Sequence, residues 1–537
     1  MTEGHPYRKW TLAWSLAALA AGLVYVVLVR HGFPPQSDVW DYAQEARQLA
    51  RGQGFTSLYT YPVHLGSGPP FPVEWRMPGY AGIGWALLSL GVPLPLGFLL
   101  VGALAHAALV GLVFLLTTRL SSPVGGCIAA AGAIACPLLL DTYNPGMSQL
   151  PAAMLGLLTW YLLLQGKGMR TSLAAGIAAG AAWYLRAESA LMLPLWIAAA
   201  LYSRSSQGDK KDAGIAGGAI AWKLAAVFLV SYCAIILPWL VVGQMHGNAT
   251  PIRGNPLLLY TPQFPGYSSA RSIGANLPGV FQYIASHPLT FWVRYAKDGV
   301  GYVLDLLTGL GPAMVGLGIA GLLLRYSDGN HSRVEPMAPS SRLPAILLSL
   351  GIILQIGVLS ALERSPRFLV PIVPIACILI GLLSSEFCER LRPQRVLVAL
   401  LIALVLERAA TVLFQRADAA RRFAPLPREL VAAVEAEAEE WPRDALVLTD
   451  VPDWVAWHFD RPAVLLPMWR DLLTVVESRK VSAILLTHDA RGRNASDGDW
   501  DWVRTIDSSG PIEGFSGPEM LPGGSRVYVR SRGQSPP

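Results

Sequence analysis

The sequence predicts an α-helical polytopic membrane protein with a small α/β domain at its C-terminal end. Three observations predict this. Hydrophobic residues make up 53% of the 537-residue chain and charged residues only 15%, too apolar a balance for a soluble globular protein. About eleven apolar runs, most of roughly 17 to 25 residues, follow one another from Trp10 to Phe414, and that length suits a membrane-crossing helix. Beyond Phe414 the long runs stop, and short runs of strand type alternate with polar helical stretches.

In order, the expected spans are 10–29, 96–118, 124–140, 149–165, 172–185, 189–202, 221–242, 304–324, 343–362, 368–383 and 396–414. The fifth and sixth are short and also read as one broken helix. The apolar piece 79–90 is too short to cross and is expected to lie along the interface. Arg8 and Lys9 flank the first run and no small-residue cleavage site follows it, so it reads as a span and not as a signal peptide.

Basic residues in the short loops set the orientation. With the N-terminus in the cytoplasm, alternate loops on that side carry Arg119; Lys167 and Arg170; Arg204, Lys210 and Lys211; Arg325, Arg333 and Arg342; and Arg390, Arg392 and Arg395. Arg186, Arg364 and Arg367 fall on the other side, where a cytoplasmic bias does not explain them. An odd span count puts the C-terminus outside. The expected division is a transmembrane domain, 1–414, with a first outer loop at 31–95 and a long outer loop at 243–303, followed by a soluble extracytoplasmic domain, 415–537, with a disordered tail.

The stretch 37–80 carries the chemistry. Ser37 suits a helix N-cap, and Asp38 and Asp41 suit the positive end of a helix dipole. Asp38, Tyr42 and Glu45 share one helical face, Asp41 lies about one turn from Asp38, and Gly52 and Gly54 end the helix. A carboxylate held rigidly and partly desolvated is what a general base requires.

After Phe414, the acidic, Ala-rich stretch 426–441 reads as a helix. The runs 445–449, 463–466 and 481–487 read as strands, with helices at 452–459 and 471–480 between them. That β-α-β-α-β order suggests a small parallel sheet, with 526–530 as an added edge strand and disorder from 523 to 537. No nucleotide-binding glycine motif is present.

Several motifs resemble the GT-C glycosyltransferases, in particular the protein O-mannosyltransferase and aminoarabinose transferase branch (glycosyltransferase family 39-like). They are Asp38 with Tyr42 and the following Gly52-Gln53-Gly54; Arg76-Met77-Pro78-Gly79-Tyr80; Leu185-Arg186-Ala187-Glu188; Leu237-Pro238-Trp239; Pro366-Arg367-Phe368-Leu369-Val370-Pro371; and Trp457-His458-Phe459-Asp460-Arg461. Each is weak alone, and their order along the chain is the stronger signal. The resemblance implies a GT-C fold in a bacterial-type cytoplasmic (inner) membrane. It also implies inverting transfer of a hexose or pentose from a polyprenyl-phosphate donor to an acceptor hydroxyl on a glycan, lipid or protein. It makes Asp38 the base, with Asp41 beside it, and places Tyr42, Arg76, Arg186, Arg364, Arg367 and Asp141 at the substrates. No cofactor is certain; a divalent ion between Asp38 and Asp141 is left open. The chain departs from the family pattern at Asp41, Met77, Gln149 and Phe368, each of which replaces the residue common there.

The net charge of +6 is spread among apolar spans and signals no nucleic-acid partner. Cys127, Cys136, Cys233, Cys377 and Cys388 lie in or beside apolar spans, so neither a disulfide framework nor a zinc knuckle is indicated. Two other classes compete with the transferase: a transporter or flippase, and a non-catalytic scaffold. A transporter places charges on broken helices at the bilayer midplane, whereas most of the outer charges here sit at span ends and in loops.

Overall fold

The computed structural model describes residues 7–30, 37–65, 68–73, 76–141, 147–165, 168–202, 215–245, 271, 284–327, 339–361, 364–391, 393–422, 428–439, 441–442, 444, 446–496 and 498–531. The chain divides into two compact units. One comprises 1–31, 95–246 and 289–422; the other comprises 32–94, 247–288 and 423–537. The first ten helices are α1 (Arg8–Arg30), α2 (Ser37–Ala50), α3 (Pro78–Ser89), α4 (Leu94–Leu120), α5 (Pro123–Ala135), α6 (Pro137–Asp141), α7 (Gln149–Gln165), α8 (Met169–Leu185), α9 (Leu193–Tyr202) and α10 (Ile215–Met245). Later helices are named by their residues.

The first unit is helical. Among the described residues four helices are long and apolar enough to cross a membrane: Arg8–Val27, Leu94–Leu120, Ile220–Val242 and Arg342–Leu359. A bent pair makes a fifth if it counts as one span. The expected spans 149–165, 189–202 and 368–383 coincide with shorter apolar helices, so the count of about eleven exceeds what length and composition alone support.

Two expected spans are broken. The run 124–140 divides into α5 and α6 at Pro137, which has no N–H to continue the ladder. The run 304–324 crosses a bend of 101° between Pro288–Leu310 and Pro312–Ser327. Gly311 makes that corner with φ at +84°, a conformation glycine tolerates, and Glu407 Oε1 accepts from the Ala313 N–H at 2.8 Å. The run 368–383 instead begins with a 3-10 turn, Pro366–Leu369, and becomes helical at Val373. Packing uses small residues. A Cβ on Gly381 would lie 2.5 Å from the Gly125 carbonyl oxygen, so the glycines let α5 and the helix Val373–Arg390 meet backbone to backbone.

The second unit contains a six-stranded sheet in the order β2-β5-β4-β6-β8-β7, and a two-stranded ribbon of β1 and β3. The strands are β1 (Thr56–Ser57), β2 (Tyr59–Thr60), β3 (Phe71–Pro72), β4 (Leu446–Thr449), β5 (Ala463–Leu465), β6 (Val481–Leu486), β7 (Phe515–Leu521) and β8 (Ser525–Arg530). β4 pairs in parallel with β5 and with β6, as the alternation of strands and helices in the tail predicts. The expectation at the end of the chain needs correcting. β8 is ordered and lies inside the sheet between β6 and β7, and β7 is the edge. β7 reads Phe-Ser-Gly-Pro-Glu-Met-Leu; its glycine and proline hide it from a strand pattern, and an edge is where a proline is tolerated.

The opposite edge comes from the loop expected to be the first outer one. Tyr59 and Thr60 pair in parallel with Ala463 and Val464, and the Ala463 N–H donates to the Leu58 carbonyl at 2.9 Å. Both apolar layers of the sheet include residues of that loop: Leu65 and Phe71 join Leu448, Val464, Ile484 and Trp502, while Tyr59 joins Val447, Val455, Ala463 and Leu485. The sequence division gave this loop to the transmembrane domain; the contacts group it with the tail. Arg271 is the one described residue of the stretch 246–283, and the rest of that stretch lies outside the described residues. Its buried guanidinium donates to the Leu466 and Pro467 carbonyls, at 2.8 and 3.0 Å, and to Asn494 Oδ1 at 2.5 Å.

Candidate active site

In the second unit, α2 carries Asp38, Asp41, Tyr42 and Glu45 along one stripe, because residues three and four apart face the same way on a helix. Arg76 precedes α3, whose first residue, Pro78, is preset for a helix start. The two segments meet through charge. Arg76 Nε donates to Asp41 Oδ2 at 2.5 Å, and Arg76 Nη2 donates to Asp38 Oδ1. The guanidinium carbon lies 5.3 Å from the centre of the Tyr42 ring, and Tyr42 meets Tyr80 edge-on at 4.9 Å.

Exposure separates the two aspartates. The Asp41 side chain is 2% exposed and that of Asp38 is 11%, so Asp38 is the less buried of the two acids. Burial opposes the charge on Arg76, yet Asp38 and then Asp41 outweigh it and push its pKa well up. Beneath them Glu45 is fully buried one turn beyond Asp41. Burial first, and then the charge of Asp41, push its carboxyl well above the usual range. The same two causes raise the Tyr59 phenol. Sequence reasoning placed Glu45 on this face without a role; its spacing of four from Asp41 was the available signal.

The remaining candidates lie in the first unit. Arg186 pairs with Glu188 through Nε and Nη2. The guanidinium carbons of Arg186 and Arg367 each lie 5.5 Å from the centre of the Phe368 ring, so two cations share one aromatic side chain. α6, which ends at Asp141, packs against the turn Pro366–Leu369. The Asp141 side chain itself lies outside the described residues. Beside Arg186 opens a cavity. Ala153, Leu157, Trp160, Trp196 and Ile375 give it apolar walls, and Arg186, Glu188, Ser189 and Gln355 give it a polar edge.

Arg364 is drawn elsewhere. Its guanidinium grips Asp305 with Nη2 at 2.7 Å and Nε at 3.0 Å, and the next residue's N–H, of Ser365, donates to the Tyr302 hydroxyl at 3.1 Å. Among the described residues no group of three or more His, Cys, Asp and Glu side chains is arranged to hold a metal ion. Of the two acids between which a divalent ion is left open, Asp38 is paired with the Arg76 guanidinium, and the Asp141 side chain lies outside the described residues.

The chain has the fold of the GT-C glycosyltransferases. It is similar to the aminoarabinose transferase ArnT from Cupriavidus metallidurans, solved bound to undecaprenyl phosphate, with a TM-score of 0.58 and 13% identity over 98% of each chain. It is similar to the oligosaccharyltransferase AglB from Archaeoglobus fulgidus, solved with an inhibitory peptide and a dolichol phosphate: TM-score 0.56, 13% identity, 99% of this chain and 75% of that one. A third similar structure is the arabinofuranosyltransferase AftD from Mycobacteria, at TM-score 0.51 and 14% identity over 97% of this chain and 41% of that one. No family model and no curated protein sequence matches.

Proposed function

We propose that the protein is an inverting membrane glycosyltransferase that moves a sugar from a polyprenyl-phosphate donor to an acceptor hydroxyl on the outer face of a cytoplasmic membrane. The observation that carries this reading is the Asp38–Arg76–Asp41 cluster at the start of α2, on a fold shared with ArnT and AglB. Those two were solved with undecaprenyl phosphate and a dolichol phosphate, which supports a lipid-linked donor here.

In this reading Asp38 is the base. As the acceptor oxygen bonds to the anomeric carbon, Asp38 takes its proton; the bond from that carbon to the phosphate oxygen breaks on the opposite face, and the phosphate leaves with the electron pair. Arg186 and Arg367, in the first unit, are chemically suited to a phosphate, because guanidinium stays cationic and matches phosphate geometry. Arg76 balances the two aspartates and fixes the orientation of Asp38. The apolar cavity beside Arg186 suits an isoprenoid chain. The N-terminus is cytoplasmic in this reading, and the first outer loop and the tail face outward.

The test is a release assay. Purified protein in lipid nanodiscs is given synthetic polyprenyl-phosphate hexoses and pentoses together with envelope extract, and free polyprenyl phosphate is measured. Release that disappears in Asp38→Asn is expected. No release with any donor, or equal release by the variant, rejects the reading. Mass spectrometry of envelope fractions from cells with and without the protein then identifies the acceptor.

A further inference from the structure

We propose that Asp460 and the helix Pro452–Phe459 act as a latch that positions α2, and through it Asp38 and Asp41; Asp460, Arg51 and Arg47 are its positioning residues. The contacts run along the whole of α2 and all lie within the second unit. At its start, Trp40, between the two aspartates, stacks on Trp457 with ring centres 5.5 Å apart and meets His458 edge-on at 5.1 Å. At its end, Arg47 donates to the Ala456 and Trp457 carbonyls at 2.7 and 3.0 Å, and its guanidinium carbon lies 4.6 Å from the centre of the Trp457 ring. Those carbonyls belong to the last turn of the helix Pro452–Phe459, the end where a cation is favoured.

Asp460 closes the latch. Its carboxylate takes a two-pronged grip from Arg51, at 2.8 and 3.0 Å, and lies 3.4 Å from Arg47 Nη2. Burial works against its charge, but Arg51, Arg47 and Arg461 hold its carboxyl below the usual range. Its backbone is left-handed, with φ at 52° and ψ at 40°, just after the helix end. Glycine is the residue favoured there, and a β-carbon is strained. The chain accepts that strain and gains a carboxylate aimed at α2. Backbone preference and side-chain role therefore pull in opposite directions at this one position, which makes them separable.

The experiment uses the full chain in nanodiscs with Asp460→Gly, Asp460→Asn, Arg51→Ala and the Asp460→Gly/Arg51→Ala double variant. Amide hydrogen exchange of peptides covering α2 and the thermal midpoint are measured for each. Asp460→Gly relieves the left-handed strain, so its midpoint should hold or rise, while exchange in α2 should quicken by roughly five-fold, the upper range for an exposed ion pair. Asp460→Asn should quicken exchange similarly, since it removes the charge at similar size. The double variant should exchange no faster than either single one, as expected of residues sharing one interaction. Unchanged α2 exchange in both Asp460 variants overturns the latch, as does a double variant whose effect is the product of the single ones. A second readout rests on the transferase reading: turnover should fall in Asp460→Gly with donor KM within about two-fold. If the unaltered protein transfers no sugar, that reading fails, while the exchange result still decides the latch.

Discussion

Arg76 holds Asp41 through Nε at 2.5 Å, and the same guanidinium turns Nη2 to Asp38, so one cation serves two buried acids. Removing it leaves two carboxylates facing each other in a site where Asp41 is 2% exposed at the side chain. Arg76→Ala should therefore destabilise the protein by about 3 kcal/mol, the scale for breaking a buried pair from one side. Arg76→Lys keeps the charge but lacks the planar fork, and should recover part of that loss. Differential scanning fluorimetry in detergent measures both; an Arg76→Ala midpoint equal to that of the unaltered protein would show that the acids are relieved in another way.

Asp38→Asn keeps size and removes proton-accepting power. Turnover in the release assay should fall at least ~100-fold, in line with general-base contributions, with the thermal midpoint little changed. Asp41→Asn should act mainly on stability, because Asp41 is the more buried of the pair. If the two variants lose activity equally with intact folding, the division of roles by exposure is wrong.

Glu45 gives stability a pH dependence of defined sign. Its folded pKa is raised, by burial and then by Asp41, so the folded protein binds its proton more tightly than the unfolded chain does. This contribution is complete below the ordinary glutamate value of about 4.3 and is lost as pH rises through the folded value. Glu45→Gln mimics the neutral form and removes the titration. The variant should match the unaltered protein in acid and exceed it in midpoint at alkaline pH. Parallel midpoint-against-pH curves for the two proteins would show that Glu45 is ionised in the fold.

The three arginines Arg186, Arg364 and Arg367 of the first unit should separate. Arg367→Ala and Arg186→Ala remove cations grouped at Phe368, and in the transferase reading each should raise donor KM or lower turnover by a few kcal/mol of binding. Arg364 is committed to Asp305, and its side chain is 39% exposed. Arg364→Ala should cost less than about 1 kcal/mol of stability and leave donor kinetics nearly unchanged. A donor defect in Arg364→Ala as large as in Arg367→Ala would restore it to the site.

Local patterns were legible and long-range pairings were not. The run 149–165 coincides with α7, and the alternation of strands and helices after Phe414 foretold the parallel pairing of β4 with β5 and β6. Those signals depend on neighbours in sequence. The Arg76–Asp38 pair, the Arg51–Asp460 pair and the strand pairing of Tyr59 with Ala463 join residues far apart in the chain, and no single-residue pattern encodes them. Apolar length also failed to locate corners: the run 304–324 is mostly apolar, but Gly311 and Pro312 turn it by 101°.

The tail tests the grouping of the segment 32–94 with the C-terminal segment. From sequence alone, 426–530 has enough apolar residues to fold by itself. In the structure its sheet receives an edge strand, β2, and its two apolar layers receive Tyr59, Leu65 and Phe71, all under 10% exposed. Burying each such side chain contributes about 1.5 to 3 kcal/mol, a large share of the stability of a domain this small. Expressed alone, 426–530 should retain helix and strand signals by circular dichroism but unfold at a low temperature over a broad range. Joined through a flexible linker to 37–90, it should unfold cooperatively and at least ~10 °C higher, since about 1 kcal/mol moves the midpoint of a domain of this size by several degrees. The tryptophan environment supplies a second readout, because Trp40 then stacks on Trp457. An isolated tail whose transition is as sharp and as high as that of the joined form would show that the loop is a passenger on a finished domain.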